Sequence, residues 1–140
     1  MSFALDGRLE QDSSPVTDLP LSSVRLMRDA TYPWLLLVPR RPGLTEIVDL
    51  ARTDRLALME EIALCSEALL AEAPCDKLNV AAIGNIVRQL HVHIVARREG
   101  DPAWPKPVWG AAPPVPYGPD AERRLIEGVA ARLSAPAGTD

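Results

Sequence analysis

From Gln89 to Ile94 the chain reads Gln-Leu-His-Val-His-Ile, a strict alternation of polar and apolar side chains followed by Val95. Successive side chains on a strand point to opposite sides, so Gln89, His91 and His93 share one face while Leu90, Val92 and Ile94 share the other. The pattern therefore requires a sheet with one apolar side. His91 and His93 are the only histidines of the chain, and they stand side by side on the polar face. Imidazole titrates near neutral pH, which suits the pair to proton transfer, nucleophilic attack or metal ligation. The plain alternative is a polar groove without catalysis.

The other elements follow from local signals. Residues 23–27 and 34–38 are rich in Val and Leu and flank the turn Asp29-Ala30-Thr31-Tyr32-Pro33, which predicts a hairpin. Pro39 to Gly43 ends the second strand, and residues 45–50 read as a short helical turn. A long helix is expected over residues 53–73, where Leu56, Met59, Ile62, Cys65, Leu69 and Leu70 recur at three- and four-residue steps. Asp54 favours the dipole of its first turn, and Pro74 stops it. Residues 78–83 form a further strand, and Gly84-Asn85 turns the chain into the histidine strand.

Seven of the 14 prolines lie between Pro102 and Pro119, so residues 100–119 are neither a central strand nor a helix. Proline-rich chain adopts polyproline II without a core, yet Trp104 and Trp109 are costly to leave in water and tend to anchor a segment on a surface. Residues 120–134 read as an amphipathic helix through Leu125, Val129 and Leu133.

A chain of 140 residues with 47% hydrophobic content fits a single domain that buries roughly two-thirds of its unfolded surface. No apolar run approaches the ~20 residues of a membrane span, and residues 1–7 lack a basic region followed by an apolar one, so a cytoplasmic protein is expected. The formal charge of −4 argues against a protein that coats nucleic acid by charge. Cys65 and Cys75 lack both metal-knuckle spacing and the density of a disulfide scaffold, and read as packing residues.

A neutral imidazole nitrogen attacks phosphorus well, and the phosphoramidate it forms becomes labile once protonated, so attack divides a hard hydrolysis into two easier steps. His91 is the candidate nucleophile. His93 on the same face orients it or relays a proton. Backbone amides at Gly84 and Asn85 are available to developing phosphate charge.

The string Gly84-Asn85-Ile86-Val87-Arg88-Gln89-Leu90-His91-Val92-His93-Ile94-Val95 resembles the motif of the histidine triad family, with Gln89 in the place of the first histidine. The resemblance implies a nucleotide hydrolase or nucleotidyl transferase acting at the α-phosphorus of a purine nucleotide conjugate, either a dinucleoside polyphosphate or a nucleoside phosphoramidate, through a nucleotidyl-His91 intermediate. It implies no cofactor. By the same resemblance Asn85 and Gly84 bind phosphate, Asn79 contacts phosphate or ribose, and Asp29 meets the ribose hydroxyls. The resemblance further implies that Trp104 and Trp109 lie on an arm that reaches the partner of a homodimer. Read without the family, Asn79 and Asn85 cap turns, Asp29 is a turn residue, and Trp34 and Trp109 serve a core or interface.

Two departures stand out. Gln89 cannot titrate, although an amide still orients a neighbour, and Ile86 replaces a hydroxyl residue; both lower the expected rate, and a histidine at position 89 is expected to raise it. A nucleotide-binding module without turnover, or a metal enzyme using His91 and His93, are the alternatives. The expected fold is α+β: an antiparallel sheet of about five strands, one long helix and a carboxy-terminal extension helix.

Overall fold

The computed structural model describes residues 2–134 of the chain. Its elements are α1 (Gly7–Asp12), β1 (Ser13–Asp18), β2 (Ser22–Met27), β3 (Trp34–Pro39), α2 (Arg52–Glu72), β4 (Lys77–Ala81), β5 (Val92–Arg97) and α3 (Pro119–Ser134), with a 3-10 turn at Ile47–Asp49 before α2. The strands form one antiparallel sheet in the order β1-β2-β3-β5-β4. The hairpin, the long helix, the proline-rich arm without regular structure and the carboxy-terminal helix therefore lie where the sequence puts them.

Alternation divides the sheet into two faces with different tasks. Val24 and Leu26 of β2, Leu35 and Leu37 of β3, and Val92, Ile94 and Ala96 of β5 point to one side and pack on Leu58, Cys65, Ala68 and Leu69 of α2 and Val129 of α3. Each aliphatic side chain so buried contributes about 1.5–3 kcal/mol. The opposite face carries Leu36, Val38, Trp34, His93, Val95 and Arg97. Two segments cover it, the amino terminus with α1 and the proline-rich arm. Phe3, Leu5 and Leu9 lie over Leu36 and Val38, while Ala103, Val108 and Trp109 lie over Trp34 and Val95. The histidines sit in the gap between these covers.

The face of α2 differs from the one its periodicity suggested. Cys65 and Leu69 are buried as expected, but Leu56, Met59 and Leu70 are exposed, and Glu61 is buried. The cause is a long-range pairing that periodicity does not encode. The Glu61 carboxylate accepts the amides of Leu21 and Ser22 at 2.8 and 2.9 Å, satisfying the turn between β1 and β2. That turns the helix so that a carboxylate, rather than a methionine, faces the sheet. The histidine stretch also enters the ladder late: β5 begins at Val92, so Gln89, Leu90 and His91 precede it as loop.

Candidate active site

His91 and His93 stand 4.9 Å apart between ring centroids, with their planes at 69°. Both are mostly buried, and both line a cavity of about 340 Å³ together with Leu9, Met27, Leu36, Gly84, Asn85, Ile86 and Trp109. A second cavity of about 260 Å³, lined by Thr45, Glu46, Arg88 and Gln89, shares Ile83, Gly84 and His91 with the first. His91 thus lies where two cavities adjoin.

Hydrogen bonds fix the tautomer of each ring. His91 Nδ1 lies 2.7 Å from the Gln89 carbonyl oxygen, which can only accept, so Nδ1 carries the proton and Nε2 keeps its lone pair. His93 Nδ1 faces the indole Nε1–H of Trp34 at 3.0 Å. An indole can only donate, so His93 Nδ1 accepts and its proton sits on Nε2. One ring therefore offers a nucleophilic nitrogen and the other an N–H donor. Trp109 closes the arrangement, edge-on to His93 at 5.1 Å and to Trp34 at 5.8 Å.

Burial first, and the neighbouring His91 second, push His93 down to about 3. It is neutral at physiological pH, with its Nε2–H available as a donor. The depression has a consequence for stability. An unfolded histidine takes up a proton near pH 6.5, whereas folded His93 stays neutral until about pH 3, so acidification favours the unfolded chain within that window. His93 alone should remove roughly 2–3 kcal/mol between pH 6.5 and 4.5. Denaturant titrations of the wild type and His93→Asn across that range check this: the variant's pH slope should be shallower by about 1.4 kcal/mol per unit, and equal slopes would refute it.

Gly84 has φ +66°, in the left-handed region that favours glycine, and opens the turn before the histidines. Among the described residues the amides of Gly84, Asn85 and Ile86 have no backbone acceptor. They are available to an anion beside His91. Gln89 remains at the site, but through its backbone: its side-chain amide bonds Ala4 and Asp6 at 2.8 Å each, while its carbonyl oxygen orients His91.

The remaining expected ligands make structural contacts as well. Asn79 Oδ1 accepts from Arg97 Nη1 at 2.8 Å. Asp29 is buried, and its Oδ1 accepts the amides of Thr31 and Val115 at 3.1 and 3.2 Å, tying the hairpin turn to the arm. Trp104 lies over the Arg97 guanidinium at 5.5 Å, so both arm tryptophans pack on their own chain. Sequence reasoning missed the role of Trp34 as the donor that sets His93, and it missed the segment before β1 altogether. Asp6 capping the amide of Arg8 was a readable helix-start signal there. Among the described residues no cluster of three His, Cys, Asp or Glu side chains forms that could hold a metal ion, and no helix is long and apolar enough to cross a membrane.

Comparison with known proteins agrees with this geometry. The HIT domain family model matches residues 8–100. A histidine triad protein from Bradyrhizobium japonicum is 48% identical, with 95% of this chain and 99% of that chain covered and a TM-score of 0.93. One from Sinorhizobium meliloti is 45% identical, with 94% of each chain covered and a TM-score of 0.87. One from Marinobacter aquaeolei is 41% identical, with 95% and 97% covered and a TM-score of 0.91. No curated protein matches. The family match, the shared fold and the paired imidazoles lead to one conclusion: the chain belongs to the histidine triad, or HIT domain, family.

Proposed function

We propose that this protein is a nucleotide hydrolase or nucleotidyl transferase that attacks the α-phosphorus of a purine nucleotide conjugate with His91 Nε2. The observation that carries this is the 2.7 Å contact from His91 Nδ1 to the Gln89 carbonyl, which leaves Nε2 unprotonated. In the first step an Nε2–P bond forms and the bond to the leaving group breaks. In the second, water attacks phosphorus, the N–P bond breaks, and His91 is restored. The amides at Gly84 and Asn85 stabilise the charge that grows on the phosphoryl oxygens.

The larger cavity, near the lower end of the ~300–1,000 Å³ of small-molecule sites, takes the nucleoside against Met27, Leu36 and Trp109, and the smaller one takes the leaving group. Neutral His93 and non-titrating Gln89 do not deliver a proton to that group. Departure as a stable anion is therefore favoured, which selects dinucleoside polyphosphates over phosphoramidates whose amine must be protonated. Incubation with a panel of adenylated and guanylated compounds, quenched in alkali to preserve the phosphoramidate, tests this reading. A nucleotide adduct on His91 and faster release from polyphosphates support it, and nucleotide binding with no product from any compound would favour a module without turnover.

The assembly we propose is a homodimer. β4 pairs only with β5 among the described residues, so its outer edge is unpaired, and Val80 on it is 49% exposed. Exposed Leu56, Met59 and Leu64 of α2, and Ile47, Val48 and Ile83, add apolar surface that a second copy would cover. Val80→Lys should weaken the dimer by about 2 kcal/mol, roughly 30-fold, read as a shift to monomer in light scattering. An unchanged mass at every concentration would place the contact elsewhere.

A further inference from the structure

Gln89 is engaged in a way that its position in the motif does not suggest. Its Oε1 accepts the amide of Asp6 and its Nε2 donates to the carbonyl of Ala4, each at 2.8 Å. A carbonyl and an amide two residues apart are the pair that the N–H and C=O of one residue on a neighbouring strand engage in a parallel β-bridge. The glutamine side chain therefore takes the place of a strand. Arg8 adds a second tie: it pairs with Asp6 at 3.0 Å and donates to the Ile86 carbonyl in the phosphate turn at 3.3 Å. Phe3, Leu5 and Leu9 complete the docking on Leu36 and Val38, and Leu9 and Asp12 then line the cavity that holds both histidines.

We infer that Gln89 is a positioning residue whose amide docks residues 2–12 onto the histidine strand, making this amino-terminal segment a wall of the nucleotide cavity. Ala4 and Asp6 precede residue 8, where the family match begins, so the wall that Gln89 holds lies partly outside the matched region while Gln89 lies within it. Only an amide suits the task. In neutral imidazole the donor and acceptor nitrogens point away from each other around a ring, whereas the C=O of glutamine and one N–H of its NH2 point to the same side. This reverses the expectation that histidine at position 89 raises the rate. Gln89→His should undock the segment as Gln89→Ala does.

The inference rests on the proposed nucleotide reading only for its kinetic readout. The first measurement needs no substrate: hydrogen exchange of residues 7–12 in the wild type, Gln89→Ala, Gln89→His, Asp6→Pro and the Gln89→Ala/Asp6→Pro double variant. Asp6 has φ −58°, which proline adopts, so Asp6→Pro removes the amide donor without forcing the backbone, together with the carboxylate that caps α1 and pairs with Arg8. Each single variant should exchange at least about tenfold faster, and the double variant no faster than Asp6→Pro alone. In steady-state hydrolysis of a dinucleoside polyphosphate, the loss in Gln89→Ala should fall mainly on KM, by about tenfold. Unchanged protection in Gln89→Ala, or fully additive effects in the double variant, would overturn the inference. So would a collapse of kcat with KM and protection intact, because Gln89 would then act on the chemistry directly. A wild type that turns over no nucleotide would refute the proposed function and leave the exchange result to decide the docking role.

Discussion

His91→Asn should lower kcat by on the order of 10⁴-fold or more while AMP affinity stays within about threefold. The ring is held by the Gln89 carbonyl, and an asparagine amide can still donate there, so the shape of the cavity survives the change. What disappears is the only nitrogen left free to bond phosphorus. His93 cannot substitute, because its Nδ1 is occupied by Trp34 and its Nε2 carries the proton. A factor of 10⁴ is about 5.5 kcal/mol of transition-state stabilisation, more than a lost positioning contact supplies and consistent with a lost covalent route. Calorimetry with AMP and initial rates with a dinucleoside polyphosphate separate the two effects. A variant that turns over within tenfold of the wild type removes His91 from the chemistry.

Arg97→Ala should be the most destabilising single change at the back of the site, costing about 3–5 kcal/mol. The side chain is 1% exposed and makes four hydrogen bonds to three residues. It holds Asp101 through Nε at 2.8 Å and Nη2 at 3.0 Å, Asn79 through Nη1 at 2.8 Å, and the Lys106 carbonyl through Nη2 at 2.9 Å. Tyr32 and Trp104 flank the guanidinium at 5.7 and 5.5 Å. Removing it strands the Asp101 carboxylate, whose hydrogen bonds from Arg97 hold it down to about 2 and which also accepts the amides of Ala103 and Trp104. The arm is tied to the sheet at this cluster, so Trp109 should loosen from His93 and activity should fall with stability. Arg97→Leu combined with Asp101→Leu should recover much of the stability, since no buried charge is left alone. Urea unfolding of the wild type and the two variants checks this, and a loss below about 1 kcal/mol in Arg97→Ala would show the cluster to be dispensable.

The legible parts of this protein were those encoded locally. The alternation around His91 and His93 separated the imidazoles from Val92 and Ile94, although their face is largely apolar and covered; Pro33 and Pro39 bracketed β3, and Pro74 followed the end of α2 within two residues. The misread parts depend on partners distant in sequence. Glu61 is buried because its carboxylate serves amides some 40 residues earlier, and Leu56 and Met59 are left on the surface by the same rotation. β1 went unread because Pro15 sits within it and its pairing with β2 is irregular between Pro15 and Thr17, which a sequence pattern reads as non-strand. The histidines were visible as chemistry, but their division of labour was not. Tautomers are set by a backbone carbonyl and an indole, and the second of these lies 59 residues away.

The stereochemical course at phosphorus tests the covalent route most directly. With a dinucleoside polyphosphate made chiral by sulfur at the α-phosphorus and hydrolysed in isotopically labelled water, attack by His91 and then by water inverts the centre twice, so the nucleotide product should retain its configuration. Inversion in that product would mean that water displaces the leaving group in one step, and His91 would have no bond to phosphorus to make.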